Sequence, residues 1–324
     1  QMAGGRSLTL KTEDGTSIDL HLPTYTMPDT KNASGYYVED DMDTVDLFIG
    51  SDGTLGVITE VELALLPSPG AMWEVSCLFR DEDSAIDFVE AVKSQAADVA
   101  TIEFFDADAL DILRRQKETN PAFSRLPKIA SWVKAMVSVE LHSADDSHAQ
   151  EHLFLLGSIL SHAGGCEEDT WVARNQQDLA RLKFIRHAIP ESVNMMIDER
   201  RKVDPVITKL GTDMSVPDRH LRDAMDMYRQ GLRESGLQSA IWGHIGHNHL
   251  HVNILPRSGD EYRRGKDLYL KWAKLVTEMD GAVAAEHGVG KLKTPFLRIM
   301  YGDEHVREMY DVKRALDPKG LLGT

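Results

Sequence analysis

The spacing of hydrophobic residues along the chain changes several times, and each change predicts an element. In "SLTLKTEDGTSIDLHLP" (7–23) apolar and polar residues alternate on both sides of Asp14-Gly15, which predicts a two-stranded hairpin like the edge of a larger sheet. In "LFIGSDGTLGVITEVELALLP" (47–67) an apolar run is interrupted by Gly50, Gly53 and Gly56, which predicts a strand, a glycine-rich turn and a second strand. From Trp73 onward strands and helices take turns. "MWEVSCLF" and "AMVSVELHS" read as strands; "DEDSAIDFVEAVKSQ", "SHAQEHLFLLGSILSHAGG", "RHLRDAMDMYRQGLRESG" and "EYRRGKDLYLKWAKLVTEMDG" repeat their apolar residues at three and four, as helices do. The first of these helices has an Asp-led start, and the second ends at Gly164-Gly165 as a C-cap would. The tail "YGDEHVREMYDVKRALDPKGLLGT" reads as a helix that stops at Asp317-Pro318. Together these predict an α+β fold whose main layer, covered by helices, runs from about 68 to 295.

Composition narrows the function. The chain has 324 residues, 42% of them hydrophobic, enough for two domains and a large core. Its formal charge of -16 repels phosphate backbones and anionic lipid, so small molecules or proteins are the expected partners and nucleic acid is not. Cys77 and Cys166 stand far apart with no C-x-x-C spacing, which argues against a disulfide scaffold or a sulfur-ligated metal and fits a reducing, cytoplasmic setting. No apolar run approaches the roughly 20 residues that span a bilayer. The acidic loop "VEDDMDTVD" lacks the glycine and terminal glutamate of a helix-loop-helix calcium site and reads as solvated.

The densest chemistry lies in "GHIGHNHLHVNILP" (243–256), with four histidines in eight positions. If 247–254 is a strand, its period of two puts His247, His249, His251 and Asn253 on one face and Leu250, Val252 and Ile254 on the other. The apolar face belongs to the core, and the histidine face then opens onto something polar. Seven extended residues span about 23 Å, so His244 meets His251 only if the chain bends, and Gly243 and Gly246 supply the bend. His244 and His251 are then candidate ligands of one ion, with His247 or His249 left to meet a substrate. An open catalytic site usually has three protein ligands, and "AAEHGVGK" offers Glu286 beside His287 as the third. Such a set suits zinc, manganese or iron(II). Spacing alone leaves simple hydration of these imidazoles as the other reading, and His142, His148, His152 and His162, around one helix, read as solvated.

Three stretches together resemble the FAD-linked 2-hydroxyacid dehydrogenases and oxidases of the vanillyl-alcohol-oxidase type, which include D-lactate, glycolate and D-2-hydroxyglutarate dehydrogenases. "LFIGSDGTLGVITE" is similar to that family's G-S-E-G-T-L-G-[IV]-I-T-E turn, "GHIGHNHLH" to its G-H-x-G-D-G-N-x-H motif, and "AEHGVGK" to its G-E-H-G-[IV]-G; "KNASGY" (31–36) and "LDPKGLL" also fit. The resemblance implies that His244, His251 and Glu286 hold a divalent ion and that His287 is the general base. It implies that Gly50, Ser51, Gly53, Thr54, Gly56 and Ile58 line FAD. "FIRHAIPE" stands where the family carries an arginine before an Ile-Pro step, so Arg186 is the candidate for the substrate carboxylate, which its planar fork suits; a surface ion pair is the competing reading.

The resemblance also implies three segments: 1–67 as the C-terminal part of an FAD-binding domain, 68–295 as a substrate-binding cap domain with an antiparallel sheet and the metal site, and 296–324 as a helical return to the FAD domain. The implied reaction is oxidation of a D-2-hydroxyacid, D-lactate first, with hydride passing to the flavin and a quinone, an electron-transfer protein or a partner subunit as final acceptor. A homodimer, and attachment to the inner membrane through the acceptor, stay open. The departures are specific. His247-Asn248-His249 replaces the family's Asp-Gly-Asn, which predicts an altered substrate preference, and "KLGTDMSVP" separates Lys209 from Asp213, where the family has K-Y-D-x-S-x-P. The tail ends "LLGT" where the family has Asn-Pro-Gly. The family's glycine-rich phosphate-binding lobe does not precede "KNASGY", and the chain opens on Gln1-Met2, so it reads as the C-terminal portion of a longer enzyme, with weak or no hold on FAD. A metal-dependent hydrolase, and a non-catalytic subunit docking on a separate flavin subunit, are the rival readings.

Overall fold

The computed structural model describes residues 6–323; the expectation about Gln1-Met2 and the last residue of "LLGT" lie outside them. The chain forms two compact units, one of Gln1–Leu65, Asp213–Ala224 and Leu270–Thr324, the other of Leu66–Thr212 and Met225–Tyr269. Residues 213–224 and 270–295 thus group with the first and last segments rather than with the sheet.

The second unit is built on an antiparallel sheet. Its strands are β3 (Ala71–Phe79), β4 (Val99–Phe105), β5 (Ala135–Ser143), β6 (Trp171–Ala173), β7 (Leu210–Gly211), β9 (Ser239–His244) and β10 (His249–Ile254), in the order β6-β3-β5-β4-β9-β10-β7. The central strands β3 and β5 are buried along nearly their whole length, because helices cover both sides. Helices α2 (Ala107–Thr119) and α4 (Gln176–Val203) pack one face against Leu78, Phe105, Met136 and Trp242. On the other, Phe79 meets Phe88 of α1 (Glu82–Gln95) with ring centroids 5.5 Å apart. The Asp-led helix starts act as caps: Asp81 and Asp145, before α1 and α3 (Asp146–His162), accept the backbone N–H of Ser84 and His148. Gly164, with φ +80°, closes the turn after α3, as its sequence predicts.

The α4 face changes character along the sheet. Glu74↔Glu140, Ser76↔Ser138 and Glu103↔Ser138 are ladder pairs, so these side chains stand together on the face that carries Leu78, Met136 and Phe105 further along. Phe104 pairs with Gly243, and one step along that ladder places Glu103 opposite His244. Period two and strand pairing thus assemble three carboxylates and a histidine from residues far apart in sequence.

The first unit holds the hairpin of β1 (Ser7–Lys11) and β2 (Ser17–His21), in the expected register around Asp14-Gly15. Leu20, Leu22, Tyr36 and Leu47 pack with Tyr301, Met309 and Val312 of α7 (Gly290–Leu316), and the Tyr25 and Tyr301 rings lie 4.2 Å apart. The first unit also holds β8 (Met214–Ser215), while the helices α5 (Leu221–Ser235) and α6 (Gly259–Glu278) each have residues in both units.

Two of the expected strands differ. Residues 47–67 contain turns but no strand, and Val57, Ile58, Val61, Leu63, Leu65 and Leu66 are 60–92% exposed. An alternating pattern becomes a strand only where a neighbouring ladder takes its N–H and C=O groups, and none of the described strands pairs with this segment. The strand predicted from 247 begins at His249, because Ile245–His247 form a 3-10 turn that ends on Asn248 in the left-handed region (φ +51°). No helix among the described residues is long and apolar enough to cross a membrane.

Candidate functional site

The β9–β10 hairpin gathers imidazoles from both of its strands. His249 pairs directly with His244 and His251 with Trp242, so the three histidines share one face at the turn end. Their ring centroids are 5.4 Å apart for His244–His249, 5.6 Å for His244–His251 and 4.5 Å for His249–His251. Each offers a nitrogen within 4.8 Å of the others, close enough for the three to converge on one ion. The bend that joins His244 to His251 is therefore the 3-10 turn and the left-handed Asn248, more than glycine freedom at 246. The histidine face is largely enclosed and meets polar groups: His249 is fully buried, and His244 and His251 are partly so.

Neighbouring acceptors orient two of these rings. His251 Nδ1 lies 3.2 Å from the Thr212 carbonyl, and His244 Nδ1 lies 2.8 Å from Glu103 Oε1. Both acceptors can only receive a proton, so these two contacts suit rings protonated on Nδ1. His247 is not part of this group. It lines a separate cleft with Gly246 and Lys93, whose ammonium donates to Asn248 Oδ1 at 2.9 Å.

Arg186 reaches the same face from α4. Its Nη2 lies 2.9 Å from Glu103 Oε1, and its side chain remains 41% exposed while the Glu103 side chain is 6% exposed. The ion-pair reading of Arg186 is therefore realised, with a buried partner rather than a surface one. Beyond Glu103, Glu74 is buried opposite Glu140 and lines a one-water cavity of about 20 Å³ with Glu140, Lys183 and Arg186. Burial first, and then the Glu140 charge, push the Glu74 carboxyl up to about 7, with Lys183 and Arg186 acting the other way.

The first unit carries the glycine turn. Gly50, Ser51 and Thr54 line a cleft of about 410 Å³ with Tyr36, Gly290 and Met309, within the roughly 300–1,000 Å³ range of small-molecule sites. Gly50 and Gly53 have φ of +72° and +68°, and no atom stands within 4 Å of where a Cβ would be, so the turn's backbone is open to a ligand. Gly53, Gly56 and Ile58 do not line the cleft, and Ile58 is exposed. An open glycine backbone beside an apolar wall of Leu297, Val306 and Met309 fits part of a flavin dinucleotide.

Glu286 and His287 also lie in the first unit, both exposed. Glu286 is ion-paired with Lys31. The loop that carries them is held by Asp213, a buried carboxylate that accepts the backbone N–H of Glu286 at 3.2 Å and of His287 at 3.0 Å and pairs with Lys293. Sequence reasoning missed Asp213 and Glu103 as functional neighbours; it left His247 or His249 to meet a substrate, and the structure sets His249 beside His244 and His251. The available signal for Glu103 was a charge inside a strand, "TIEFF", otherwise apolar enough to be buried on both faces.

The chain is similar to known proteins in sequence and in fold. Residues 69–324 match the family described as FAD linked oxidases, C-terminal domain. A relative from Danio rerio, "Probable D-lactate dehydrogenase, mitochondrial", is 27% identical over 90% of this chain and 54% of its own length. "Glycolate oxidase subunit GlcD" of Bacillus subtilis is 24% identical over 90% of this chain and 57% of its own. The chain spans about half the length of the curated relatives it matches. Among solved structures, 4-ethylphenol oxidase from Gulosibacter chungangensis superposes with a TM-score of 0.60 at 15% identity, over 89% of this chain and 59% of that one, a likeness of fold.

Proposed function

Since this chain belongs to the FAD-linked oxidases through their C-terminal domain, we propose that it serves the metal-assisted oxidation of a D-2-hydroxyacid to the 2-oxoacid, with D-lactate as the first substrate to test. The observation that carries the reading is the cluster of His244, His249 and His251, three imidazoles of a ligand type suited to a divalent ion such as zinc, manganese or iron(II). Bound FAD would supply the two-electron acceptor and the ion the Lewis acidity toward the 2-hydroxyl. The chain's own residues do the rest. The three imidazoles hold the ion. The Arg186 guanidinium, with one nitrogen committed to Glu103 and its exposed edge still carrying N–H donors, receives the substrate carboxylate. Glu286 and His287 enter the proposal through the sequence motif alone, as a further ligand and as the acceptor of the hydroxyl proton. Gly50, Ser51, Gly53, Thr54, Gly56 and Ile58 are the proposed flavin contacts, with the cleft of the first unit supporting Gly50, Ser51 and Thr54. A quinone, an electron-transfer protein or a partner subunit takes the electrons onward.

The test is dye reduction by the purified native protein, loaded with FAD and zinc or manganese, on D-lactate, glycolate and D-2-hydroxyglutarate. D-lactate-dependent reduction that disappears on chelation is expected. Failure of every 2-hydroxyacid to reduce the dye in a protein that holds both groups overturns the reading and favours a hydrolase built on the three histidines.

A further inference from the structure

We propose that Glu103 is a positioning residue for the imidazole cluster: its carboxylate accepts the Nδ1 proton of His244 and thereby fixes the ring with Nε2 as its lone-pair nitrogen. The inference rests on the reading of His244 as a metal ligand.

The ladder brings the two residues together. Phe104 faces Gly243 and Phe105 faces Trp242, so Glu103 falls opposite His244 and on the same side of the sheet. Glu103 is 5% exposed, where a carboxylate is costly unless it is satisfied. Its Oε1 receives two donors, His244 Nδ1 at 2.8 Å and Arg186 Nη2 at 2.9 Å. The 3.4 Å between Arg186 Nη2 and His244 Nδ1 separates two donors that share this acceptor and is not a bond between them. With the proton on Nδ1, the lone pair on Nε2 is the form an ion needs. The other tautomer would turn a lone pair against a carboxylate. Arg186 grips the same oxygen from α4 and keeps the carboxylate from swinging away, so the helix that carries the substrate candidate also holds the strand residue behind the ligand. The Thr212 carbonyl gives His251 the same arrangement, but through the main chain, which no substitution at Thr212 removes. Glu103 is thus the one of the two acceptors that can be tested by mutation.

The experiment uses the chain labelled with ¹⁵N in its histidines, first free of metal and then titrated with zinc against a chelating competitor. In the wild-type protein, the His244 ring is expected as the Nδ1–H tautomer. Glu103→Met keeps the volume and deletes the acceptor; it should release His244 toward the Nε2–H form that dominates in water and weaken zinc binding by about 10- to 100-fold. Glu103→Gln, which keeps a carbonyl oxygen at the same place, should restore the tautomer and most of the affinity. A wild-type ring protonated on Nε2 overturns the proposal without any variant, and so does a folded Glu103→Met protein whose tautomer and zinc affinity match the wild type. If no divalent ion binds the wild-type chain but Glu103→Met still switches the tautomer, the metal reading fails and the positioning role of Glu103 stands.

Discussion

Glu74 shows what a single side chain costs this sheet. Its carboxyl is raised from the ordinary 4.5 to about 7, so between these values the folded chain keeps a proton that the unfolded chain has released. Stability therefore falls as pH rises through this window, by about 3 kcal/mol in all at 1.36 kcal/mol per unit. Glu74→Gln stays neutral throughout. Urea unfolding should give the variant the wild-type midpoint at pH 4 and a higher one at pH 8; equal midpoints at pH 8 would show that Glu74 ionises without penalty. Residues of this kind are hard to read from sequence. The glutamates of "TIEFF" and "MWEVSCLF" announce a buried charge, but not the partner: Glu103 meets a histidine 141 positions away. His244 and His251 could be read because a seven-residue separation restricts how they can meet. His249 could be read onto the face of His251, but its place opposite His244 depends on a cross-strand register that the local pattern does not show.

At the scale of elements, the β9–β10 hairpin depends on Gly243. Its φ is +134°, and a Cβ there would stand 3.0 Å from His251 Cδ2 and 3.1 Å from the His249 carbonyl oxygen. Gly243→Ala should cost on the order of 1–3 kcal/mol in backbone strain and displace two of the three imidazoles, lowering both the urea midpoint and zinc affinity. A loss of stability with zinc affinity unchanged would mean that the cluster tolerates distortion of its hairpin. Elements with a strong period were legible for a physical reason: in β3, β5, α1 and α3 the apolar residues are spaced by the backbone that buries them. Residues 47–67 have an equally clear alternation and form no strand, because a strand's partner is not written in its own sequence.

For the whole molecule, that segment is the largest departure from a buried-apolar, exposed-polar plan. Val57, Val61, Leu63 and Leu65 repeat at or near every second position and are all exposed, an arrangement that favours association through an apolar row. Replacing Leu63 and Leu65 together by lysine should leave stability within about 0.5 kcal/mol while reducing self-association in sedimentation and the binding of a hydrophobic dye. A fall in the melting temperature of several degrees would show that these leucines pack against the fold. The net charge acts against such association: at -16, copies of the chain repel one another.

Asp213 bears on timing rather than on strength. Because its carboxylate already holds the amides of Glu286 and His287 and the Lys293 ammonium, the loop bearing the proposed ligand and base takes its shape during folding. A ligand reaching this loop has little disorder to remove, so more of its contact energy goes into affinity and less into ordering the chain.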